Sequence, residues 1–300
     1  MSGGSASING VTVTGTFAWT TPAAVPTAGT ASYSVTFTPT DSTGFNSATT
    51  TTSITVGKTT PTINTTPVAS AITYGQTLDS SSLTGGAASV AGTFAFATPT
   101  TAPATGTANY SVTFTPTDTS NYNSVTFNVS VTTNKATPTV TATPTAAAIT
   151  YGAALSTATL GSASASVAGT FAYVTPTAVP NAGTYSATVR FTPTDTTNYN
   201  TVDFSINVSV AKATPSVTAS PTPTKSPIRV GNTLSEIGLS GGGATVAGSF
   251  AYATPTSAPA QGVQSVAVTF TPTDSNYNSV TFNISITVTV ALPVVTSLSP

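Results

Sequence analysis

The amino-acid sequence predicts an all-β fold made of consecutive antiparallel β-sandwiches, and three observations support this. Two marker segments recur at intervals of 77, 77 and 79 residues, and a fixed period of this kind indicates repeated structural units. β-Branched Thr and Val are abundant and suit strands, while 23 Gly and 22 Pro provide frequent turns. Helix-forming residues are scarce, so we expect no long helix.

The repeat is defined by two motifs. The first, Gly-Thr-Phe-Ala-Tyr-Val-Thr-Pro, contains Phe171 and recurs around Phe17, Phe94 and Phe250. The second, Phe-Thr-Pro-Thr-Asp, ends at Asp41, Asp118, Asp195 and Asp274. The predicted organisation is a partial repeat at 1–57, whole repeats at 58–134, 135–211 and 212–291, and a spare strand, or the start of a following domain, at 292–300.

Within the repeat 135–211 the pattern alternates as strands do. Strands are predicted at 137–144, 148–152, 167–174, 185–191 and 202–210, with a turn at 181–184. Six or seven short strands separated by turns favour an antiparallel sandwich over an α/β fold.

Each whole repeat is long enough to bury its own core. About a dozen apolar side chains, at about 1.5–3 kcal/mol each for full burial, can offset the ordering entropy of a small domain without a disulfide or a metal. The candidates in this repeat are Ile149, Tyr151, Leu155, Phe171, Tyr173, Tyr185, Phe191, Tyr199, Phe204, Ile206, Val208 and Val210.

Short linkers separate the repeats. They contain Lys58, Lys135 and Lys212, each followed three residues later by a proline that narrows the hinge. Four units of about 35–40 Å each would then form an extended, semi-rigid rod of roughly 150 Å.

Composition excludes several functions. Charged residues make up 4% of the chain, six basic and seven acidic, and there is no His or Cys. Six scattered cations cannot neutralise a run of phosphates, so no nucleic-acid binding is expected. No stretch approaches 18 apolar residues, so no direct membrane insertion is expected. Without His, Cys or paired carboxylates we expect no enzyme and no catalytic, cofactor-binding or metal residues.

The repeated aspartates and lysines have two interpretations each. The aspartates could bind calcium at a junction, but Ca²⁺ needs several carboxylates, so we favour a turn-capping role. Tyr122, Tyr199 and Tyr277 would then resemble the tyrosine corner of immunoglobulin folds, with buried rings that hydrogen-bond backbone. The lysines could form isopeptide crosslinks, but that chemistry needs a buried acid, and we favour exposed edge-strand charges.

Four aromatic pairs lie two residues apart and so share one sheet face. They could stack on sugars, but we favour the core as their place. The pairs are Phe17 with Trp19, Phe94 with Phe96, Phe171 with Tyr173, and Phe250 with Tyr252.

Three motifs stand out in the third repeat: Tyr-Gly-x-x-Leu (151–155), Phe-Thr-Pro-Thr-Asp-x-x-Asn-Tyr (191–199) and the closing Val-x-Val-x-Lys-Ala-Thr-Pro. With their recurrences they resemble the bacterial immunoglobulin-like (Big) domain repeats across residues 1–291. The resemblance implies immunoglobulin-like sandwiches, extracellular display and a stalk or adhesive role, with no family active site. The tail 292–300 is similar to the opening strand of IPT/TIG domains. Arg229-Val230 and Gly44-Phe45 depart from the pattern.

The two ends of the chain are complementary. The first repeat lacks about the first 26 residues of a unit, whereas 292–300 aligns with an opening strand. Either the chain is an arbitrary fragment, or the tail of one copy pairs with the incomplete first repeat of the next in a head-to-tail filament.

We therefore predict a structural part of an extracellular bacterial surface protein, either an adhesin stalk or a filament subunit, with other copies of itself as partners. The alternative is an adhesion module that binds a surface glycan or a host protein through loops at the sandwich ends.

Overall fold

The computed structural model of the chain describes residues 3–290. It divides the chain into two compact units, residues 1–136 and 137–300. The first unit holds the partial first repeat and the second repeat, and the second unit holds the third and fourth repeats. The spare strand expected at 292–300 lies outside the described residues.

The first unit is made of thirteen described strands and one 3₁₀ turn, Leu78–Ser80. In the first repeat the strands are β1 (Ala6–Ile8), β2 (Val11–Val13), β3 (Gly15–Trp19), β4 (Gly29–Pro39) and β5 (Ala48–Val56). In the second repeat they are β6 (Ile63–Thr65), β7 (Val68–Ala69), β8 (Ile72–Thr73), β9 (Leu83–Thr84), β10 (Ala87–Ala88), β11 (Gly92–Phe96), β12 (Gly106–Pro116) and β13 (Val125–Asn134).

The second unit repeats this order, with a 3₁₀ turn at Leu155–Thr157 and a short helix α1 at Leu234–Ile237. The third repeat contains β14 (Val140–Ala142), β15 (Ile149–Thr150), β16 (Ser164–Ala165), β17 (Gly169–Tyr173), β18 (Gly183–Pro193) and β19 (Val202–Ala211). The fourth contains β20 (Val217–Ala219), β21 (Thr222–Pro223), β22 (Ile228–Arg229), β23 (Leu239–Ser240), β24 (Gly243–Ala244), β25 (Gly248–Tyr252), β26 (Gly262–Pro272) and β27 (Val280–Thr289).

The second repeat shows the complete architecture. One layer is a four-stranded sheet in the order β11-β12-β13-β8, and the other consists of the strand pairs β6–β10 and β7–β9. Successive side chains of a strand point to opposite faces, so Val129 and Val131 of β13 are buried while their neighbours are exposed. The core between the layers contains Ile72, Leu78, Phe96, Val112, Val129 and Val131. An all-β fold of tandem sandwiches is therefore confirmed.

Among residues 3–290 three core clusters are present, in the second, third and fourth repeats, and each draws its residues from a single repeat. The linkers contribute no member to any of them. This is what separately folding sandwiches require, although the repeat boundaries given above remain predictions.

The third repeat corrects the predicted topology. The sequence predicts an antiparallel sandwich, but within it β15 runs parallel to the end of β19, with Ile149 opposite Val210. The segment 148–152 enters the sheet at the open edge of β19 in the same chain direction, which leaves parallel pairing as the available geometry. The predicted strand 137–144 shrinks to β14 because prolines at both its ends lack the N–H that a ladder needs.

The core predicted for that repeat lies in the right place, but it includes too many aromatic residues. Five of the twelve candidates are buried, namely Ile149, Leu155, Phe191, Val208 and Val210, and the other seven are half-buried. Ala158, Ala187 and Val189 are also buried and were missed. Small side chains such as Ala158 and Ala187 fill part of the space between the layers, and Phe191 is the one candidate ring that is fully buried among the residues described.

The first repeat is open. Its sheet is β3-β4-β5, and within residues 3–57 the second layer is reduced to the two-stranded pair β1-β2. Ahead of the sheet, β1 and β2 form a hairpin with Ile8 opposite Val11. Asn9 and Gly10, at φ 47° and 79°, form the two-residue turn, which is the turn chemistry that favours a tight hairpin.

Candidate functional site at the repeat junctions

The repeated aspartates close a turn, as predicted. The carboxylate Oδ1 of Asp118 accepts hydrogen bonds from the backbone N–H groups of Ser120 and Asn121, both at 3.1 Å. The Asn121 side-chain amide also donates to Asp118 at 2.7 Å, and it is the main reason that the pKa of Asp118 lies below its ordinary value. Asp41 accepts equivalent bonds from Thr43 and Gly44, and hydrogen bonding to Thr43 lowers its pKa.

The turn then anchors the linker at the start of its own repeat. In the second repeat Thr59 donates its N–H to the carbonyl of Asn121 at 2.9 Å and accepts the N–H of Asn123 at 2.9 Å. The Asn123 side chain adds a bond to the Thr60 hydroxyl at 3.1 Å.

The fourth repeat has the same anchor. Ala213 donates to the carbonyl of Asn276 at 3.0 Å and accepts from Asn278 at 2.8 Å. The Asn278 side chain adds a bond to the Thr214 hydroxyl at 3.1 Å. In both repeats these bonds fix the linker to the last loop of the repeat that it opens.

The same turn also grips the preceding repeat. In the first unit the side-chain Oδ1 of Asn121 accepts the backbone N–H of Ala28 at 2.7 Å. In the second unit Oδ1 of Asn276 accepts the N–H of Ala182 at 2.8 Å. Ala28 and Ala182 occupy the same place in their repeats, directly before the long strands β4 and β18. We call this turn, with its linker bonds and its asparagine contact, the junction clamp.

The second unit adds an aromatic contact to its clamp. The rings of Tyr151 and Tyr277 meet edge to face, with centroids 5.4 Å apart. The negative charge of Asp274 nearby is the main cause of the raised pKa of the Tyr151 phenol. In the first unit the clamp borders a cleft of about 310 Å³, lined by Val25 to Ala28 on one side and Asp118, Asn121 and Tyr122 on the other.

The expected tyrosine corner is wrong for Tyr122 and Tyr277. Their rings are half-buried, and within residues 3–290 neither hydroxyl hydrogen-bonds to backbone. Tyr277 instead contributes its ring to the contact with the previous repeat. The tyrosine of the fourth repeat therefore takes part in the contact between two repeats.

The structure gives the calcium interpretation no support. Asp118 already directs its oxygens to N–H groups, and no cluster of three or more His, Cys, Asp or Glu occurs in the described part of the chain. For the crosslink, Lys58 donates to the carbonyl of Thr119 at 2.6 Å. Over residues 3–290 the buried polar side chains are Ser81 and Thr133, so no buried acid is available to activate a lysine there.

Three of the four aromatic pairs have at least one ring in or against a closed core, as favoured, while Phe171 of the third pair also borders a cleft of about 400 Å³. The Tyr173 hydroxyl donates to the carbonyl of Ala158 at 2.8 Å, and burial raises its pKa. Phe96 and Tyr252 are buried. The pair Phe17 and Trp19 is the exception, because it faces the open side of the first repeat, where a cleft of about 710 Å³ lies.

Sequence reasoning did not identify the asparagine of the clamp, although a signal was present. The residue before the motif tyrosine is Asn121 in the second repeat and Asn276 in the fourth, but the first repeat has Gly44-Phe45 in place of Asn-Tyr. A side chain that grips the preceding repeat is thus missing from the repeat that has none before it in this sequence.

No family model matches the chain, and no curated protein matches it in sequence. Among solved structures it is similar to Drosophila N-cadherin EC1-4 at 10% identity, with 87% of this chain and 83% of that chain covered and a TM-score of 0.22. Protocadherin Gamma B7 cadherin domains 1-4 align at 9% identity, covering 86% and 83%, with a TM-score of 0.26. Sidekick-1 immunoglobulin domains 1-5 align at 12% identity, covering 94% and 72%, with a TM-score of 0.26. Over residues 3–290 no helix is long and apolar enough to cross a membrane.

Proposed function

We propose that this chain is a structural spacer, a row of bacterial immunoglobulin-like repeats in an extracellular surface protein that holds distant parts apart as a semi-rigid rod. The observation that carries the proposal is the junction clamp. The bond from Ala28 to Asn121 is 2.7 Å long, and the bond from Ala182 to Asn276 is 2.8 Å long. A clamp at an equivalent place in both units is what a chain needs to resist bending at its linkers.

The mechanism is a restriction of the hinge. The bonds of Thr59 to Asn121 and Asn123 fix the linker to the following repeat, and the Asn121 side chain fixes that repeat to the preceding one. A two-sided anchor removes torsional freedom that a free linker of this length would keep. The low charge, at 4% of residues, suits a passive stalk better than an electrostatic binder.

Spin labels test the clamp directly, because the chain has no cysteine of its own. We would introduce Ser32→Cys with Asn109→Cys in the first unit, at exposed sites that are equivalent in the first two repeats, and Ser186→Cys with Ser265→Cys in the second unit. We expect a narrow distribution of label distances in each unit. Asn121→Ala should broaden the first, and Asn276→Ala should broaden the second.

Asn128→Ala is the matched control, since Asn128 lies on an exposed strand face and contacts Ser111 of its own repeat at 3.2 Å. Broad distributions in the unmodified chain, or distributions that Asn121→Ala and Asn276→Ala leave unchanged, would contradict a rigid spacer. Negative-stain images of the full chain test the rod itself.

For assembly we propose that residues 292–300 of one copy pair with the first repeat of the next. The acceptor would be β2, which has one paired edge, to β1, among the described residues. In the third repeat the strand equivalent to the tail is β14, which pairs with β16. The residues of β16 correspond to the start of β2 in the first repeat. Deleting 292–300 should abolish filaments, and filaments that survive the deletion would refute this route.

A further inference from the structure

The last strand of the first repeat differs from the others at two inward-facing positions. The second repeat places Phe127 and Val129 on the inner face at the start of this strand. The first repeat has Thr50 and Thr52 there, and both are exposed. The third and fourth repeats follow the second, with Phe204, Ile206, Phe282 and Ile284. At these two positions β5 is therefore polar in the open first repeat, whereas the equivalent strands of the other three repeats are apolar.

These threonines change the environment of the neighbouring ring. In the second repeat Phe94 packs against Phe114 at 5.0 Å and meets Phe127 edge-on at 6.0 Å. In the first repeat Phe17 keeps the corresponding contact with Phe37 at 5.0 Å, and Thr50 stands where the second ring would be. Phe17 therefore lacks the second ring contact that Phe94 makes, and it lines one cleft together with Thr50 and Thr52.

Trp19 is the second unusual residue of this face, and it is the single tryptophan of the chain. Its counterpart Tyr173 bonds to the second layer of the third repeat at Ala158. Trp19 is half-buried and meets Tyr33 edge to face at 6.4 Å. Among residues 3–290 its indole N–H has no hydrogen-bond partner, and neither do the hydroxyls of Thr50 and Thr52.

These groups border one cleft of about 710 Å³, which lies within the range of about 300–1,000 Å³ common for small-ligand sites. Aromatic rings and apolar side chains form part of its lining, and threonine hydroxyls form another part. None of the residues that line it is charged. Its principal side chains are Phe17, Trp19, Val35, Thr50, Thr52 and Ile54.

We propose that this cleft binds a neutral saccharide. A sugar ring presents a C–H face that stacks on an aromatic ring and hydroxyls that pair with donors and acceptors, and the cleft offers both. The absence of charge in the lining favours an uncharged sugar over an acidic one. The missing layer of a repeat is a poorer occupant, because it would bury the Thr50 and Thr52 hydroxyls against apolar side chains without partners.

The site differs from the strand edge proposed for assembly. The tail 292–300 corresponds in sequence to the opening strand of a repeat, and the assembly proposed above places it beside β2. It has no counterpart of the segment Ile149 to Leu155, which covers the inner face in the third repeat. The saccharide proposal is therefore independent of the spacer role and of the filament.

Fluorescence of the full chain is a direct test, because all tryptophan emission comes from Trp19. We would titrate it with cellopentaose, xylopentaose, maltopentaose and chitopentaose. We expect a saturable change in emission with at least one of them, and an affinity that 0.5 M NaCl changes less than twofold, since no ion pair is involved. No binding to any of the four would overturn the proposal.

Variants locate the binding, with calorimetry as the readout. Thr50→Phe with Thr52→Val restores the side chains of a closed repeat and should weaken binding at least tenfold by filling the cleft. Trp19→Ala should do the same by removing the stacking ring. Tyr173→Phe, in a closed repeat, is the control and should leave the affinity unchanged. Circular dichroism and hydrogen exchange of β4 verify folding of each variant.

Two results would overturn the assignment to this cleft. One is an affinity that survives both the double variant and Trp19→Ala. The other is tight binding of a synthetic peptide of residues 135–161 by a chain that binds none of the four saccharides, which would show that the face receives the opening segment of a repeat.

Discussion

The first and second repeats each contain a sheet with three corresponding antiparallel strands, but they differ in what covers the inner face of that sheet. Val35 and Val112 hold equivalent places on β4 and β12, and both are buried, with 3% and 0% of their surface exposed. Val112 shares a closed core with Leu78 of the 3₁₀ turn, whereas beside Val35 lies an open cleft. The comparison shows that a three-stranded sheet with long strands can bury its centre, while its inner rim needs a second layer or polar side chains.

The largest expected effect comes from removing a side chain at the centre of the closed core of the second repeat. Leu78 is 0% exposed, and Leu78→Ala should cost about 3 kcal/mol in the local stability of the second repeat by leaving a cavity. Hydrogen exchange measured by mass spectrometry should quicken in β12 and leave β4 nearly unchanged. Equal acceleration in both strands would mean that the two repeats do not hold separate cores.

A smaller effect compares the equivalent valines. Val112→Ala should cost roughly 2 kcal/mol, because the closed core around it cannot collapse into the space. Val35→Ala should cost less than half of that, since the adjacent cleft is already open to water. The same exchange measurement on β12 and β4 gives both values, and a larger loss at Val35 would contradict the distinction between open and closed repeats.

A third change should stabilise the second repeat. Thr133 is 3% exposed, and its hydroxyl has no hydrogen-bond partner within the described residues. The equivalent residues are Val56, Val210 and Val288. Thr133→Val should therefore add about 1 kcal/mol, seen as slower exchange in β13. The reverse change, Val56→Thr, lies at the rim of the open repeat and should cost less than Thr133→Val gains.

The smallest expected effect is that of acid. The pKa of Asp118 and of Asp41 is lowered in the folded chain, by hydrogen bonds chiefly from Asn121 and Thr43 respectively. Their contribution to stability is thus present above the ordinary pKa and is lost as pH falls below it, through the folded value.

Acid should loosen the two turns differently, because the Asp118 turn carries Asn121 and the Asp41 turn carries Gly44. Below pH 3.8, the ordinary value, amide exchange at Ala28 should quicken relative to its intrinsic rate, and Asp118→Asn should shift this onset. If Asp118→Asn leaves the pH of this onset unchanged, the stability of the clamp does not depend on the Asp118 carboxylate.

The period of 77 residues, the β-class, the strands from Gly169 to Tyr173 and from Val202 to Ala211, and the turn-capping aspartates could all be read from the sequence. These features depend on local alternation, turn chemistry and repetition, which a linear chain displays directly. The hairpin at Asn9-Gly10 is equally local, but it is peculiar to the first repeat, so the repeated motifs do not predict it.

Tertiary structure decided the rest. The parallel pairing of β15 with β19, the burial of Ala158 and Ala187, and the contact from Asn121 to Ala28 each join residues distant in the chain. Likewise, Phe17 with Trp19 and Phe94 with Phe96 show the same spacing, yet one pair borders a cleft and the other packs in a core. Spacing fixes which side chains share a sheet face, whereas the layer that covers that face comes from elsewhere in the fold and decides whether they meet protein or water.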